Sequence, residues 1–151
     1  MQRRRLLTLL IALPAAAATG DAGPGPRAGR VVYVGAGNRV KLRTRSRTYQ
    51  VRLAGVSLPG FEPWDAKARS ALARLVLGEV LQLGAVREAG DGIADRIARA
   101  TLGGKDLAAH LVAEGLLRAD RRDTVRPDLL ELEAEARAAG RGLWGDARSR
   151  P

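Results

Sequence analysis

"GGKDLAAHLVAEGLL", residues 103–117, is the stretch on which the fold turns. The glycines and lysine reverse the chain. "DLAAHLVAEGLL" (106–117) then carries Leu107, Leu111 and Val112 at helical spacing and reads as a helix with one apolar face. Upstream, "IADRIARATL" (93–102) reads as a strand, although its alanines favour strands weakly. "EVLQLGAV" (79–86) reads as another strand. "FEPWDAKARSALARLVLG" (61–78) sets Trp64, Ala68, Leu72, Leu75 and Val76 on one helical face, with Gly78 as the stop.

Further back, "NRVKLRT" (38–44) and "TYQVRLAGV" (48–56) flank the polar "RSR" (45–47), the pattern of a hairpin. "RVVYV" (30–34) is β-branched and aromatic, and "GAG" (35–37) interrupts it as a turn or bulge. Downstream, "RRDTV" (121–125) is a polar connector and "RPDLLELEAEARAAGRG" (126–142) a third helix. Pro127 suits its first turn. Leu129, Leu132, Ala136 and Ala139 form its expected stripe, and Gly140 or Gly142 its end. Leu143 and Trp144 supply apolar mass to dock the tail. Three strands, a helix, two strands and two helices predict an α+β chain with a small closed sheet and packed helices.

The first residues have another character. "MQRRR" is basic, "LLTLLIALPAAAA" is apolar, and Ala-x-Ala follows at Ala15–Ala17 or Ala16–Ala18. This is the pattern of a cleaved signal peptide. The apolar run is shorter than the ~20 residues of a membrane span. "RRRLL" also fits a twin-arginine signal. The expected divisions are a signal peptide over 1–18, a Gly/Pro-rich linker over 19–29, one domain over 30–146 and a tail over 147–151. The expected location is outside the cytoplasm, periplasmic or secreted. With no cysteine, packing alone must hold the fold there. The formal charge is +10, and cations remain in excess without Arg3, Arg4 and Arg5. Such a balance suits an anionic partner or simply aids solubility.

The order of elements and several motifs together resemble the staphylococcal nuclease-like (thermonuclease) domain. The motifs are "VRLAGV" followed by Pro59, "PW" followed by "ARSALARLVLG", "GGKDLAAHLVAEGLL", and "LELEAEARAAGRGLW" (130–144). The resemblance spans about residues 30 to 146. It implies a five-stranded OB-type barrel with three helices, and Ca²⁺-dependent hydrolysis of phosphodiesters. In that chemistry aspartates hold the ion, a glutamate activates water and two arginines stabilise the phosphate.

Carried over by position, the family's turn Asp-Gly-Asp-Thr-Val falls on Ala36, Gly37, Asn38, Arg39 and Val40. A metal aspartate is thus Asn38. Arg52 retains the first arginine. The second metal aspartate is Ser57, and the base is Gly60. The second arginine falls on Asp95 in an ungapped register, counted from Asp91, or on Arg99 in a gapped one.

Calcium takes several oxygen ligands and favours charged ones. Asn38 and Ser57 offer only neutral oxygens, and Gly60 offers no base. Loss of a general base alone is typically worth ~10²–10⁴-fold in rate. A shifted loop bringing in Glu62, or Asp91 as a ligand, would be a relocated site. Arg52 then serves either phosphate or structure.

The expectation is an exported, monomeric domain, inactive as a nuclease and needing no cofactor. It would bind nucleic acid, another anionic polymer or a protein. The alternative is an active phosphodiesterase with a rearranged calcium site. Arg39, Lys41 and Arg43 share one strand face, with Arg45 and Arg47 at the hairpin. They form either a polyanion footprint or a solvated strand edge that discourages pairing. His110 reads as a helix-surface or packing residue, and Trp64 and Trp144 as core.

Overall fold

The computed structural model describes residues 26–36, 38–90 and 96–149. Its strands are β1 (Ala28–Val34), β2 (Arg39–Arg43), β3 (Thr48–Leu53), β4 (Val56–Ser57), β5 (Val80–Glu88), β6 (Arg96–Leu102), β7 (Lys105–Asp106) and β8 (Arg118–Ala119). The helices are α1 (Trp64–Val76), α2 (Leu107–Ala113) and α3 (Pro127–Ala138).

Five strands close on themselves in the order β3-β2-β1-β5-β6, and β6 returns to pair with β3. That last pairing is parallel, with Val51, Arg52 and Leu53 beside Arg96, Ile97 and Ala98. The result is the OB-type barrel with three helices that the family resemblance implies. Val31, Val40, Leu42, Val51, Leu53 and Leu81 point inward and are almost wholly buried. Apolar residues at every second position create that lining. Ala68, Leu72 and Val76 of α1 and Leu107, Leu111 and Val112 of α2 complete the core.

Several boundaries differ from the sequence reading. Ala28 and Gly29, assigned there to the linker, belong to β1 and pair with Gln82 and Leu81. Gly29 fits because a Cβ there would stand only 3.0 Å from the Leu42 Cβ. Helix α2 ends at Ala113, and Gly115 turns the chain at φ +69°. Within the expected tail, Ala147–Ser149 forms a helical turn, and Ser149 is buried and donates to the carbonyls of Leu143 and Asp146.

The stripe of α3 is also corrected. Leu129 and Ala136 are buried, but Ala139 is exposed and Glu133 is fully buried. Its carboxylate accepts from the Ala119 amide and from Arg121 and Arg137, the last two at 2.7 Å. A charged residue can occupy a core position when such donors surround it. Leu143 and Trp144 dock against Ala136 as expected, and Trp64 packs on them only half-buried. The Trp64 indole donates to Asp146 at 3.0 Å, which keeps its edge near the surface.

Candidate functional site

Two neighbouring regions hold the residues singled out in the sequence. The first is the outer face of β1, β2 and β3. Its cross-strand rows are Arg30–Arg43–Thr48, Tyr33–Lys41–Gln50 and Arg39–Arg52. Val40 and Leu42 face the core between them, so Arg39, Lys41 and Arg43 share the outward face as predicted. Strand β2 has a partner on each side, so its cations do not guard an open edge. Among the described residues, no carboxylate pairs with Arg39, Lys41, Arg43 or Arg45. On the helical side, by contrast, Arg99, Arg121, Arg126 and Arg137 all have carboxylate partners.

The hairpin between β2 and β3 turns through hydrogen bonds from the Thr44 amide and hydroxyl to the Arg47 carbonyl. Arg45 is exposed at its tip. Arg47 departs from the predicted group. Its guanidinium lies 4.2 Å from the centre of the Tyr49 ring, and Arg96 stands 5.8 Å from the same ring. Tyr49 belongs to the inward-facing set of β3, so Arg47 is engaged by a ring on the opposite face of that strand from Thr48, Gln50 and Arg52.

The second region holds Asn38, Ser57, Gly60 and Arg52, the positions onto which the sequence reading carried the nuclease chemistry. Asn38 immediately precedes β2 and is buried. Its Nδ2 donates to the Val56 carbonyl at 3.4 Å, and its own carbonyl accepts from the Leu53 amide at 2.8 Å. It therefore ties the β1–β2 turn to the β3–β4 turn. Ser57 is the next residue after Val56 and half-buried. Gly60 lies at φ +89°, and its amide donates to Asp65 at 2.8 Å. Glu62 does not swing into this region, because it accepts from the Ala66 amide at the start of α1.

Calcium does not fit this donor set. Asn38 Oδ1 is a buried neutral oxygen without a hydrogen-bond partner, and Ser57 adds at most one hydroxyl. Among the described residues, no three of His, Cys, Asp and Glu gather in a way that could hold a metal ion. Neutral oxygens alone do not offset the dehydration of a dication.

Arg52 faces Arg39 across β2 and β3. Its guanidinium lies 3.4 Å from Asp123, and Arg87 reaches the same carboxylate oxygen at 3.0 Å. Arg87 also donates to Thr124 at 2.6 Å. Asp123 sits on a loop shaped by Asp120, whose carboxylate accepts from the amides of Arg122, Asp123 and Thr124. Burial opposes ionisation of Asp120, but these hydrogen bonds, aided by Arg52, hold its carboxyl below the usual range. The sequence reading missed Asp123, whose partner Arg52 lies 71 residues away in the chain. The only signal was an acid within an otherwise basic connector.

Arg99 is engaged elsewhere, with Asp106 at 2.7 Å and Asp128 at 3.4 Å, in a network shared with Arg126. Asp95 and Asp91 lie outside the described residues. His110 is exposed on α2, as expected.

The family model described as staphylococcal nuclease homologue matches residues 50–146. The chain belongs to that family. No curated protein matches the chain. The match begins inside β3 and takes in β4 to β8 and all three helices. Asn38 and the basic row of β2 therefore lie outside the matched residues and owe their place to the closed barrel.

Acid should destabilise the fold over a defined window. For Asp106 and Asp120, burial opposes ionisation but is outweighed by hydrogen bonds. Hydrogen bonds from Arg126 lower Asp128, and those from Arg148 lower Asp146. All four thus titrate below the unfolded value of about 3.9. Their contribution is complete above that value and disappears as pH falls through the folded values. A circular dichroism titration should show stability dropping below about pH 4. Constant stability down to pH 2 would contradict this assignment.

Proposed function

We propose that this chain is an exported nuclease-family domain that no longer hydrolyses phosphodiesters and instead binds an anionic polymer, nucleic acid first among them. It acts without a metal or other cofactor. The observation that carries the reading is the row Arg39, Lys41 and Arg43. These cations lie on an interior strand of a closed barrel, and none has a carboxylate partner among the described residues. Uncompensated cations on one face concentrate polyanions and release counterions when they bind.

The loss of hydrolysis is supported by Asn38, Ser57 and Gly60, which supply neither charged metal ligands nor a base. Arg52 is a structural residue in this reading, held to the Asp120–Thr124 loop by Asp123. Among the described residues, no helix is long and apolar enough to cross a membrane. Export rests on the sequence pattern of residues 1–18.

Fluorescence anisotropy with labelled oligonucleotides tests the binding. Affinity should fall with salt, with a log–log slope of about −2 if three single-strand phosphates are neutralised. The combined variant R39Q/K41Q/R43Q should bind at least about tenfold more weakly with a slope near zero. Absence of salt-dependent affinity for DNA and RNA would refute the reading. So would calcium-dependent cleavage of DNA in a zymogram that Arg52→Ala abolishes.

A further inference from the structure

A lone exposed ring on a protein surface carries no message. Tyr33 differs through its setting. It is 53% exposed, whereas Tyr49 and Trp144 are buried. It occupies the middle row of the basic face, opposite Lys41. We propose that Tyr33 is a stacking platform for an unpaired base, and that the polymer this face takes is single-stranded nucleic acid. The inference rests on the reading of the face as a polyanion site and adds the chemistry that selects among polyanions.

Three observations carry it. The first is a register shift in β1 between Val31 and Tyr33. Val31 and Val34 both point into the core, so the residues between them cannot follow strict alternation. The irregularity turns Tyr33 outward. Bulges commonly re-aim a side chain in this way. The second is Gly35, the next position on the same side. A Cβ there would lie 3.6 Å from Tyr33 Cε1 and 3.7 Å from the Arg39 Cβ. The ring leans over bare backbone toward the Arg39 row, at ordinary contact distance from where a Cβ at 35 would stand. The third is Lys41, whose ammonium lies over the ring 5.3 Å from its centre, on a flexible stem that can yield that face to a base. A base on the ring would bring its phosphates within reach of Lys41 and its neighbours Arg39 and Arg43.

Aromatic stacking on this scale is how sequence-tolerant single-strand binders hold bases, and every base has a face to offer. In a duplex the bases already stack on one another, so a duplex would meet only the cations. An acidic polypeptide would likewise meet the cations and gain nothing specific from the ring.

The test uses the full chain and three probes of equal length or charge: labelled (dT)10, a ten-base-pair duplex and poly-glutamate. Tyr33→Leu should weaken (dT)10 binding about 5–100-fold with the salt slope unchanged. It should leave duplex binding within about twofold, and Tyr33→Phe should bind (dT)10 like the parent. In NMR spectra, (dT)10 should shift the Tyr33 ring protons upfield.

Unaltered, still salt-dependent (dT)10 binding by Tyr33→Leu would overturn the platform while leaving the polyanion reading intact. Equal losses for (dT)10 and duplex would overturn it too, as would poly-glutamate binding with the same dependence on Tyr33. No binding of any polyanion by the parent chain would remove both readings together. Tyr33 is half out of the fold, so thermal melts of the variants should match the parent. The phenylalanine variant supplies the comparison should leucine unsettle β1.

Discussion

Gly142→Ala should remove a large share of the folding stability, costing about 4 kcal/mol or more against a typical total of about 5–15 kcal/mol. Gly142 lies at φ +54°, and a Cβ built on it would stand 2.3 Å from the Gly115 carbonyl oxygen and 2.6 Å from that of Glu114. The contact is reciprocal. A Cβ on Gly115 would stand 2.2 Å from the Arg141 carbonyl oxygen. The Leu143 amide donates to the Gly115 carbonyl at 2.9 Å, so the two glycines let backbone meet backbone. Neither carbonyl can retreat without opening that joint and freeing Leu143 and Trp144.

Gly140→Ala is the natural comparison. Gly140 also has positive φ, +61°, but nothing lies within 4 Å of a Cβ there. It should cost only the left-handed strain, about 1–2 kcal/mol. Urea unfolding of the two variants separates clash from strain. If Gly142→Ala unfolds at the same urea concentration as Gly140→Ala, the account of this joint is wrong.

Glu133→Leu should destabilise the protein by about 2–3 kcal/mol, although it replaces a charge in the core with an apolar side chain of similar bulk. The loss comes from the groups left behind. The Ala119 amide loses its acceptor inside the protein, which is worth about 1–3 kcal/mol. Arg121 and Arg137 lose a shared carboxylate, but both are about half exposed and can turn to water, so each adds at most about 1 kcal/mol.

Glu133→Gln retains an acceptor for Ala119 and should cost about 1 kcal/mol. Because Ala119 pairs with Val56, the leucine variant should also speed amide exchange at Val56 and Ala119. Thermal melts of the pair decide the matter. A leucine variant as stable as the parent would show that the buried carboxylate is dispensable.

The same two residues show what could be read from the chain beforehand. The alternating valines and leucines of β2 and β3 declare their inward face directly, since strand periodicity is a local property. The resemblance singled out Asn38, Ser57 and Gly60, which the structure sets in the β1–β2 turn, in β4 and in the loop before α1. Glu133 could not be placed in the core from its own segment, because what satisfies it is an amide fourteen residues away and two arginines. Gly142 was legible as a helix stop but not as half of a joint with Gly115. Asp123 was hidden for a related reason. "RRDTV" reads as a polar connector until folding sets it against Arg52 and Arg87. Arg45 and Arg47 looked equivalent in the hairpin, and only the position of the Tyr49 ring separates them.

The parallel seam between β3 and β6 has a consequence for how the chain is made. Synthesis delivers residues 51–53 well before 96–98, and no short turn can join strands that run the same way. The β1–β2–β3 meander must therefore wait with one border unsealed while α1 and β5 are laid down. Waiting borders invite stray partners. This border carries Thr48, Gln50 and Arg52 on its outer side, polar groups that keep it hydrated until β6 arrives.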